Sequence, residues 1–353
     1  MAFQMDRASF PADVRLVRDQ ASGLEAAIVL HSTTLGPAAG GCRMWTYGDH
    51  EAMVTDACRL AEGMSYKNAL AELPLGGGKA VIRRPEGKFD RTALFRAFGR
   101  AVEALKGNYI TAEDVGTRVD DMSVVRDETR HVAGLPLRAD RSGGDPSPWT
   151  ARGVFLAMEW AAERRLERPL SDCTVALQGV GHVGAALAGM LHAAGVRLIV
   201  SDVDGKSAAR VAVATGATVA SVGSIVSAQA DIFAPCALGG VLNHETVGKL
   251  KATVVCGAAN NQLAEPADGD RLADRNILYA PDYVVNAGGI INVAAEYLGW
   301  PQTEAAARVE ETAARLARVF DHAARSGLAP HAAADRLARE TIAAGRTARR
   351  AAA

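Results

Sequence analysis

Short apolar runs alternate with helical stretches through the second half of the chain. Strands are predicted over 174–178, 197–201, 217–220, 231–234, 253–256 and 277–279. Between them, small-residue or amphipathic stretches predict helices over 184–194 and 206–215. Strands and helices of this length in strict alternation predict an α/β fold with a doubly wound parallel sheet. We therefore expect a Rossmann-type domain in this half.

The first half shows a mixed pattern. Strands are predicted over 25–31 and 79–82, and helices over 51–64 and 91–105. Residues 142–148 (SGGDPSP) form the clearest linker, with two glycines and two prolines. Further helices are predicted over 151–165, 305–325 and 331–349. We expect an N-terminal α/β domain over 1–147, the Rossmann domain over 148–325, and a C-terminal helix over 326–353.

Composition narrows the function classes. The 353 residues are 49% hydrophobic with a net charge of -1, which excludes global disorder and gives no basic excess for nucleic acid or an anionic membrane. Five cysteines without a CxxC pair favour a reducing cytoplasm. The N-terminus lacks the apolar segment of a signal peptide, and the uncharged run 211–230 is too polar to span a bilayer. No cysteine–histidine spacing in the sequence is typical of a zinc site, so no metal site is predicted.

A complete GxGxxG motif follows the predicted strand TVALQ. Its residues are Gly179, Val180, Gly181, His182, Val183 and Gly184. The glycines permit a tight turn, backbone approach to a pyrophosphate, and packing of helix on strand, while the helix N-terminus attracts the phosphates. Asp202 ends the next predicted strand, where a carboxylate accepts hydrogen bonds from a ribose and repels a 2′-phosphate. The motif therefore predicts NAD binding, with NAD favoured over NADP.

Lysine is rare in this chain, at seven of the 39 basic residues, yet Lys67 and Lys79 lie close together around a Gly-Gly-Gly run. A phosphate loop there would need glycine at position 73 and serine or threonine at position 80, and Leu73 and Ala80 exclude it. Asp114 follows in the segment TAEDVGT. Two cations and one carboxylate suit an amino acid, although lysines and aspartates are usually solvated surface groups.

These segments resemble the glutamate, leucine, valine and phenylalanine dehydrogenase family of amino-acid dehydrogenases, most closely the leucine/valine branch. The resemblance runs along nearly the whole chain. It is carried by the motifs TTLGPAAGGCR, GMSYKNA, LGGGKAVI, NYITAEDVGT, QGVGHVG, DIFAPCALGG, GAANNQL and YAPDYVVNAGG followed by IINVA.

The resemblance implies a role for each matching residue. Lys67 is expected to bind the substrate α-carboxylate, Lys79 to activate the water that attacks the imine, and Asp114 to shuttle a proton at the amine. Further residues are expected to line the substrate site, namely Gly40, Gly41, Asn260, Ala39, Ala112, Ile290 and Val293. Cofactor contacts are expected from Thr150, Cys236, Ala237, Ala258 and Asn286, beside the glycine motif and Asp202.

The implied activity is NAD-dependent, reversible oxidative deamination of an apolar L-amino acid to a 2-oxo acid and ammonia. Ala39 stands where glutamate dehydrogenases of the family carry a lysine, which disfavours glutamate. Bulky Ile290 and Val293 favour branched-chain substrates, leucine first, whereas small Ala39 resembles the phenylalanine enzymes.

Three alternatives remain open: a phenylalanine dehydrogenase, a non-catalytic NAD sensor or scaffold, and a 2-hydroxy-acid dehydrogenase. A 2-hydroxy-acid dehydrogenase typically requires a histidine–carboxylate pair, and none is evident in the sequence. The resemblance also implies a homo-oligomer assembled through the first domain, and a last helix that returns to that domain.

Overall fold

The computed structural model of the protein describes residues 12–136 and 142–352. The N-terminal segment, for which no signal peptide is predicted, lies largely outside these residues. Contacts divide the chain into two compact units. The first is Met1–Asp145 with Asn292–Ala305 and Ala338–Ala353, and the second is Pro146–Ile291 with Ala306–Leu337. Within the described ranges, no helix is long and apolar enough to span a bilayer.

The first unit contains a mixed six-stranded sheet. Its elements are β1 (Asp13–Asp19), β2 (Leu24–Ser32), β3 (Ala38–Ala39), β4 (Cys42–Trp45), α1 (His50–Leu70), β5 (Gly76–Arg83), α2 (Arg91–Glu103), β6 (Tyr109–Ile110) and α3 (Val119–Glu128). The strand order is β1-β2-β5-β3-β6, and β4 also pairs with β5. Strands β1, β2 and β5 pair antiparallel, whereas β3 and β4 run parallel to β5.

Strands β2 and β5 of this sheet are buried on both faces, whereas β1 is largely exposed. In β2, Ala27 and Val29 pack on the side of α1, whereas Ile28 and Leu30 pack on the side of α2 and α3. Residues two apart along a strand share a face. Because β2 is buried on both faces, its sequence is a continuous apolar run and does not alternate between apolar and polar residues. In β5, Val81 belongs to the α1 face. Lys79 lies two residues earlier and shares that face.

The glycines of β5 allow close packing within the protein. A Cβ atom on Gly77 would collide with the backbone nitrogen of Ser65 in α1, and one on Gly78 would lie 2.9 Å from the carbonyl oxygen of Val29. These glycines therefore bring α1 and β2 against the strand that carries Lys79.

The second unit contains a six-stranded, all-parallel sheet of order β12-β11-β10-β7-β8-β9. Its strands are β7 (Thr174–Gln178), β8 (Arg197–Ser201), β9 (Thr218–Val219), β10 (Ile232–Pro235), β11 (Val254–Val255) and β12 (Leu278–Tyr279). Its core includes Phe233, Val255 and Leu272. The predicted doubly wound parallel sheet is confirmed.

The helices after α3 complete the chain. They are α4 (Ser147–Leu166), α5 (His182–Ala193), α6 (Gly205–Thr215), α7 (His244–Lys249), α8 (Pro266–Asp274), α9 (Asp282–Val285), α10 (Gly288–Leu298), α11 (Gln302–Glu310), α12 (Thr312–Ser326) and α13 (Pro330–Ala352). In the first unit, Arg339 of α13 donates a 2.8 Å hydrogen bond to the Tyr66 hydroxyl of α1. The last helix therefore contacts α1.

Several elements differ from prediction, and the differences include the following helices. The single helix predicted over 305–325 is two helices, interrupted at Glu311, because the buried Arg315 side chain donates to the carbonyl of Arg308 across the break. Helix α1 runs beyond the predicted residue 64 to Leu70. The pattern did not predict α10, whose paired glycines at the start have low helix propensity.

The close packing at Gly77 generates a stability prediction. Gly77→Ala is expected to lower the free energy of unfolding by about 1–3 kcal/mol, because β5 and α1 must separate to admit the methyl group. The matched control is Gly63→Ala, since a Cβ there meets nothing within 4 Å inside α1. That substitution is expected to stabilise by about 0.5–1 kcal/mol. Urea unfolding measures both; equal effects would contradict the packing role.

Candidate active site and cofactor site

Lys79 and Asp114 form a buried ion pair in the first unit. The Nζ atom of Lys79 lies 2.8 Å from Oδ2 of Asp114, and their side chains are 6% and 16% exposed. Strand β5 presents Lys79 on the α1 face of the sheet, and Asp114 follows β6. Two of the residues predicted to carry the chemistry are thus in direct contact.

A network of hydrogen bonds fixes the loop that carries Asp114. The backbone N–H of Asp114 donates to the Thr117 hydroxyl at 2.8 Å, and that hydroxyl donates to the carbonyl of Cys42 at 2.9 Å. The N–H of Met44 donates to the carbonyl of Val115 at 2.9 Å. Strand β4 therefore holds the loop at Val115 and Thr117, directly after Asp114.

Arg43 is a residue of this site that the sequence analysis did not identify. Its Nε lies 3.3 Å from Oδ2 of Asp114, and its Nη1 lies 3.1 Å from Oδ2 of Asp56 in α1. The Tyr47 hydroxyl donates to the same Asp56 oxygen at 2.5 Å. Arginine is common throughout this chain, so its residue type gives no signal. The contact depends on the hydrogen bonds between β4 and the loop of Asp114, which bring together residues 71 positions apart.

Two consecutive carboxyl groups in this loop have pKa values displaced in opposite directions. Burial raises the pKa of Asp114, but the charges of Lys79 and Arg43 more than offset it and hold the value at about 2. Burial, with Asp145 and Glu296 nearby, raises the pKa of Glu113 to about 7. Asp114 is therefore ionised at neutral pH. Glu113 was not identified from the sequence, where it is one acid among many.

Lys67 lies in the last turn of α1 and is 8% exposed. Its helix packs directly on β5 through the contact of Ser65 with Gly77. The side-chain amide of Asn68 strengthens this packing by donating to the carbonyl of Gly76 at 2.5 Å. The predicted carboxylate-binding lysine is therefore held by the helix that packs on the strand of Lys79.

The paired glycines predicted to line the substrate site lie beside Asp114. A Cβ atom on Gly41 would lie 2.8 Å from Cβ of Asp114. One on Gly40 would collide with the carbonyl of Gly78. The buried Tyr109 hydroxyl donates to the carbonyl of Gly40 at 2.7 Å and fixes this segment. Both positions therefore require glycine for packing around the ion pair.

The residues predicted to surround the substrate side chain are divided between the two units. In the first unit Ala39, Ala112 and Val293 are 1%, 4% and 8% exposed. Ile290 belongs to the second unit, where it is half-buried. Each of these side chains is apolar, as a hydrocarbon substrate side chain requires.

The GxGxxG segment forms a strand–turn–helix in the second unit. Gly179 has a φ of +92°, which favours glycine, and a Cβ atom on Gly184 would collide with the carbonyl of Gly179. At Gly181 a Cβ would meet nothing within 4 Å. Helix α5 begins after Gly181 without a side-chain cap, so the N-cap residue offers no side-chain acceptor to its first N–H groups. First and third glycines serve packing, and the second leaves room for a phosphate.

Asp202 lies directly beside this turn. Its Oδ2 accepts a 2.7 Å hydrogen bond from the N–H of Val180, and its Oδ1 accepts one of 2.8 Å from the N–H of Asp204. The carboxylate is only half-buried at the end of β8, so each oxygen retains accepting capacity for a ribose hydroxyl. His182 is exposed, and Val183 is half-buried.

Cys236 packs against the glycine turn. Its thiol accepts a 3.4 Å hydrogen bond from the N–H of Ala258, and burial raises its pKa to about 12. A Cβ atom on Gly179 would lie 2.8 Å from the nitrogen of Ala237. The thiol is therefore protonated at neutral pH and serves as a packing contact.

Asn286 forms hydrogen bonds in the second unit with two residues predicted to contact the cofactor or the substrate, Ala258 and Asn260. Its Nδ2 donates to the carbonyl of Ala258 at 3.0 Å and to Oδ1 of Asn260 at 2.9 Å. Its own Oδ1 is buried and has no hydrogen-bond partner within the described residues. Thr150 donates to the carbonyl of Pro146 at 3.2 Å. An unsatisfied buried acceptor together with an uncapped helix fits a ligand that has both an amide and phosphates, as a nicotinamide dinucleotide does.

Comparison with known proteins agrees with this geometry. Residues 8–131 match the family model described as the Glu/Leu/Phe/Val dehydrogenase dimerisation domain, and residues 200–350 match the Glutamate/Leucine/Phenylalanine/Valine dehydrogenase model. A leucine dehydrogenase of Thermoactinomyces intermedius is 48% identical over 93% of this chain and 89% of its own. A valine dehydrogenase of Streptomyces albus is 47% identical over 95% and 93%.

Among solved structures, L-tryptophan dehydrogenase from Nostoc punctiforme is 40% identical. It covers 96% of this chain and 98% of its own, with a TM-score of 0.80. The identities, coverage and matched domains confirm the resemblance drawn from the motifs and the two-domain fold that it implied. This chain belongs to the glutamate/leucine/phenylalanine/valine dehydrogenase family and is an amino-acid dehydrogenase.

Proposed function

We propose that the protein catalyses the NAD-dependent, reversible oxidative deamination of a branched-chain L-amino acid, with leucine preferred. The products are the 2-oxo acid, ammonia and NADH. The observation that carries this proposal is the buried 2.8 Å ion pair of Lys79 with Asp114 inside an amino-acid dehydrogenase fold. A lysine and an ionised carboxylate in contact supply both proton transfers that the reaction requires.

Each residue has a distinct task in the proposed mechanism. Lys67 holds the substrate α-carboxylate, while Asp114 takes a proton from the α-ammonium group. A nicotinamide cofactor held at the glycine turn and Asp202 would supply the acceptor for the hydride that leaves the α-carbon. Lys79, after losing its proton to solvent, removes a proton from the water that attacks the resulting imine. Asp114 returns its proton to the departing ammonia, and the hydroxyl proton of the tetrahedral adduct passes to solvent as the carbonyl forms. The protein itself contributes positioning and charge placement.

Substrate preference follows from the apolar residues that the family resemblance assigns to the substrate side chain. Ala39, Ala112 and Val293 offer no cation, so a buried side-chain carboxylate of glutamate would be left unpaired. The branched Val293 and Ile290 favour a branched aliphatic side chain. The leucine and valine dehydrogenases that resemble this chain support the same choice.

An aromatic amino acid is the second candidate substrate. Ala39 is small, and one structure similar to this chain is an L-tryptophan dehydrogenase. A non-catalytic NAD sensor is disfavoured, because Lys67, Lys79 and Asp114 all remain in place and the last two are in contact.

We propose NAD as the cofactor because the Asp202 carboxylate would repel the 2′-phosphate of NADP. We also propose a homo-oligomer that assembles through the first domain. The description of the matching family model as a dimerisation domain supports that assembly. The five cysteines are free, which suits a reducing compartment such as the cytoplasm.

The function is tested by NADH formation at alkaline pH with L-leucine, L-valine, L-phenylalanine, L-tryptophan and L-glutamate side by side. We expect leucine to give the highest kcat/KM and glutamate no turnover. The matched control is Lys79→Ala, which is expected to lower kcat about 10²–10⁴-fold, because it removes a proton-transfer group, while NADH affinity is retained. No turnover of any amino acid would contradict the proposed function, and a preference for an aromatic substrate would favour the second candidate.

Cofactor choice is tested by Asp202→Asn, which keeps the acceptor of the Asp204 N–H and removes the charge. The ratio of kcat/KM for NADP to that for NAD is expected to rise about tenfold or more, because like-charge repulsion costs several kcal/mol. Asp204→Asn removes an exposed charge two residues away and serves as the control. Equal ratios in the two variants would show that Asp202 does not discriminate between the cofactors.

A further inference from the structure

We propose that Arg43 is a positioning residue for the reaction, held by Asp56 and Tyr47 so that Asp114 stays aligned with Lys79. This inference rests on the proposed function, because it concerns the same proton transfers. It adds to that function a group of three residues on β4, the following loop and α1, to which neither the motifs nor the comparisons assign a role.

Arg43 and Lys79 contact the same carboxylate oxygen. Oδ2 of Asp114 lies 2.8 Å from Lys79 Nζ and 3.3 Å from Arg43 Nε. The carboxylate also accepts a hydrogen bond from the N–H of Val115. Because Lys79 must exchange protons during the reaction while arginine remains charged, Arg43 is the cation that can hold the carboxylate throughout the cycle.

The sheet places Arg43 where it can do this. Strand β4 pairs in parallel with β5, and Arg43 is in register with Val81. Val81 packs on the α1 face of the sheet, which is also the face of Lys79. Cys42 and Met44, on either side of Arg43, point into the opposite core. Any one-residue change of register would turn the guanidinium away from Asp114.

Asp56 and Tyr47 hold the far side of the guanidinium. Arg43 Nη1 lies 3.1 Å from Oδ2 of Asp56, which also accepts the Tyr47 hydroxyl at 2.5 Å. With these contacts the planar fork of Arg43 is fixed between two carboxylates, one on α1 and one on the catalytic loop. A lysine side chain carries a single ammonium and lacks the planar fork that reaches both acids.

The charges around this group nearly cancel. Lys79 and Arg43 offset Asp114 and Asp56. Other titratable or charged groups that act on the site are Cys42, Tyr47, Glu113, Asp121 and Arg91. Beyond Asp56 the surface opens to a cavity of about 380 Å³, lined also by Asp49, Glu51, Ala52, Thr55 and Arg59.

The test uses the sign of a pH shift. The acid limb of the kcat/KM profile reports protons taken up by the coupled Lys79–Asp114 pair in the free enzyme. Removing a neighbouring cation makes proton uptake easier and moves this limb to higher pH. Removing a neighbouring anion makes it harder and moves the limb to lower pH. If the substitutions only loosened the structure, the acid limbs of the two variants would not move in opposite directions.

We therefore expect Arg43→Met to move the acid limb up by about one pH unit and to lower kcat at least tenfold. Asp56→Asn is expected to move the limb down. Affinity for NADH is expected to be unchanged in both. Arg96→Met is the matched control, since Arg96 is an exposed arginine on α2, which packs on the opposite face of the sheet, and its profile is expected to match the wild type. An unmoved limb in Arg43→Met would overturn the proposal.

If Arg43→Met does not fold, Asp56→Asn decides, and an unmoved or raised limb overturns the proposal. Should that variant also not fold, Arg43→Lys decides: a retained limb with kcat lowered about tenfold supports positioning, and an unchanged kcat overturns it. Wild-type turnover of L-leucine is measured first. A wild type inactive on every amino acid contradicts the proposed function, whereas an active wild type with insensitive Arg43 and Asp56 variants contradicts only this inference.

Discussion

The Asp114 carboxylate can remain charged inside the first unit only because two cations meet one of its oxygens. Burial of an ionised carboxylate is costly, and Lys79 at 2.8 Å with Arg43 at 3.3 Å compensates for it. Asp56 in turn compensates for Arg43. The proposed chemistry therefore depends on a group of four alternating charges, and each charge is brought to the site by a different element of the fold.

Close backbone packing is what allows these elements to converge. Without a side chain, Gly77 allows α1 to pack closely, Gly40 allows β5 to do so, and Gly41 allows the loop of Asp114 to do so. Tyr109 and Asn68 donate to carbonyl groups of the same backbone and hold it in place. The glycines around the lysine pair therefore serve the fold first, and through the fold they serve the spacing of the charged groups.

The cofactor turn could be predicted from sequence because its signals are local. Strand, glycines, helix and Asp202 lie within some 30 residues, and the doubly wound sheet follows from the same alternation. The network around Asp114 could not be predicted in full. Arg43 and Asp114 are 71 positions apart, and their contact depends on which face of β4 meets α1. Two-residue strands such as β3 and β6 have too little pattern to reveal that pairing. The motifs identified Lys79 and Asp114 as separate site residues, whereas only the structure identified their contact and what holds them.

The ionisation of Asp114 can be measured directly by ¹³C NMR of side-chain carboxyl groups in aspartate-labelled protein, with the resonance assigned by its loss in Asp114→Asn. Because the paired cations hold the pKa of Asp114 at about 2, the carboxylate is expected to stay ionised from pH 8 down to pH 4, without a titration step. A midpoint at or above the ordinary aspartate value, within that range, would contradict the account.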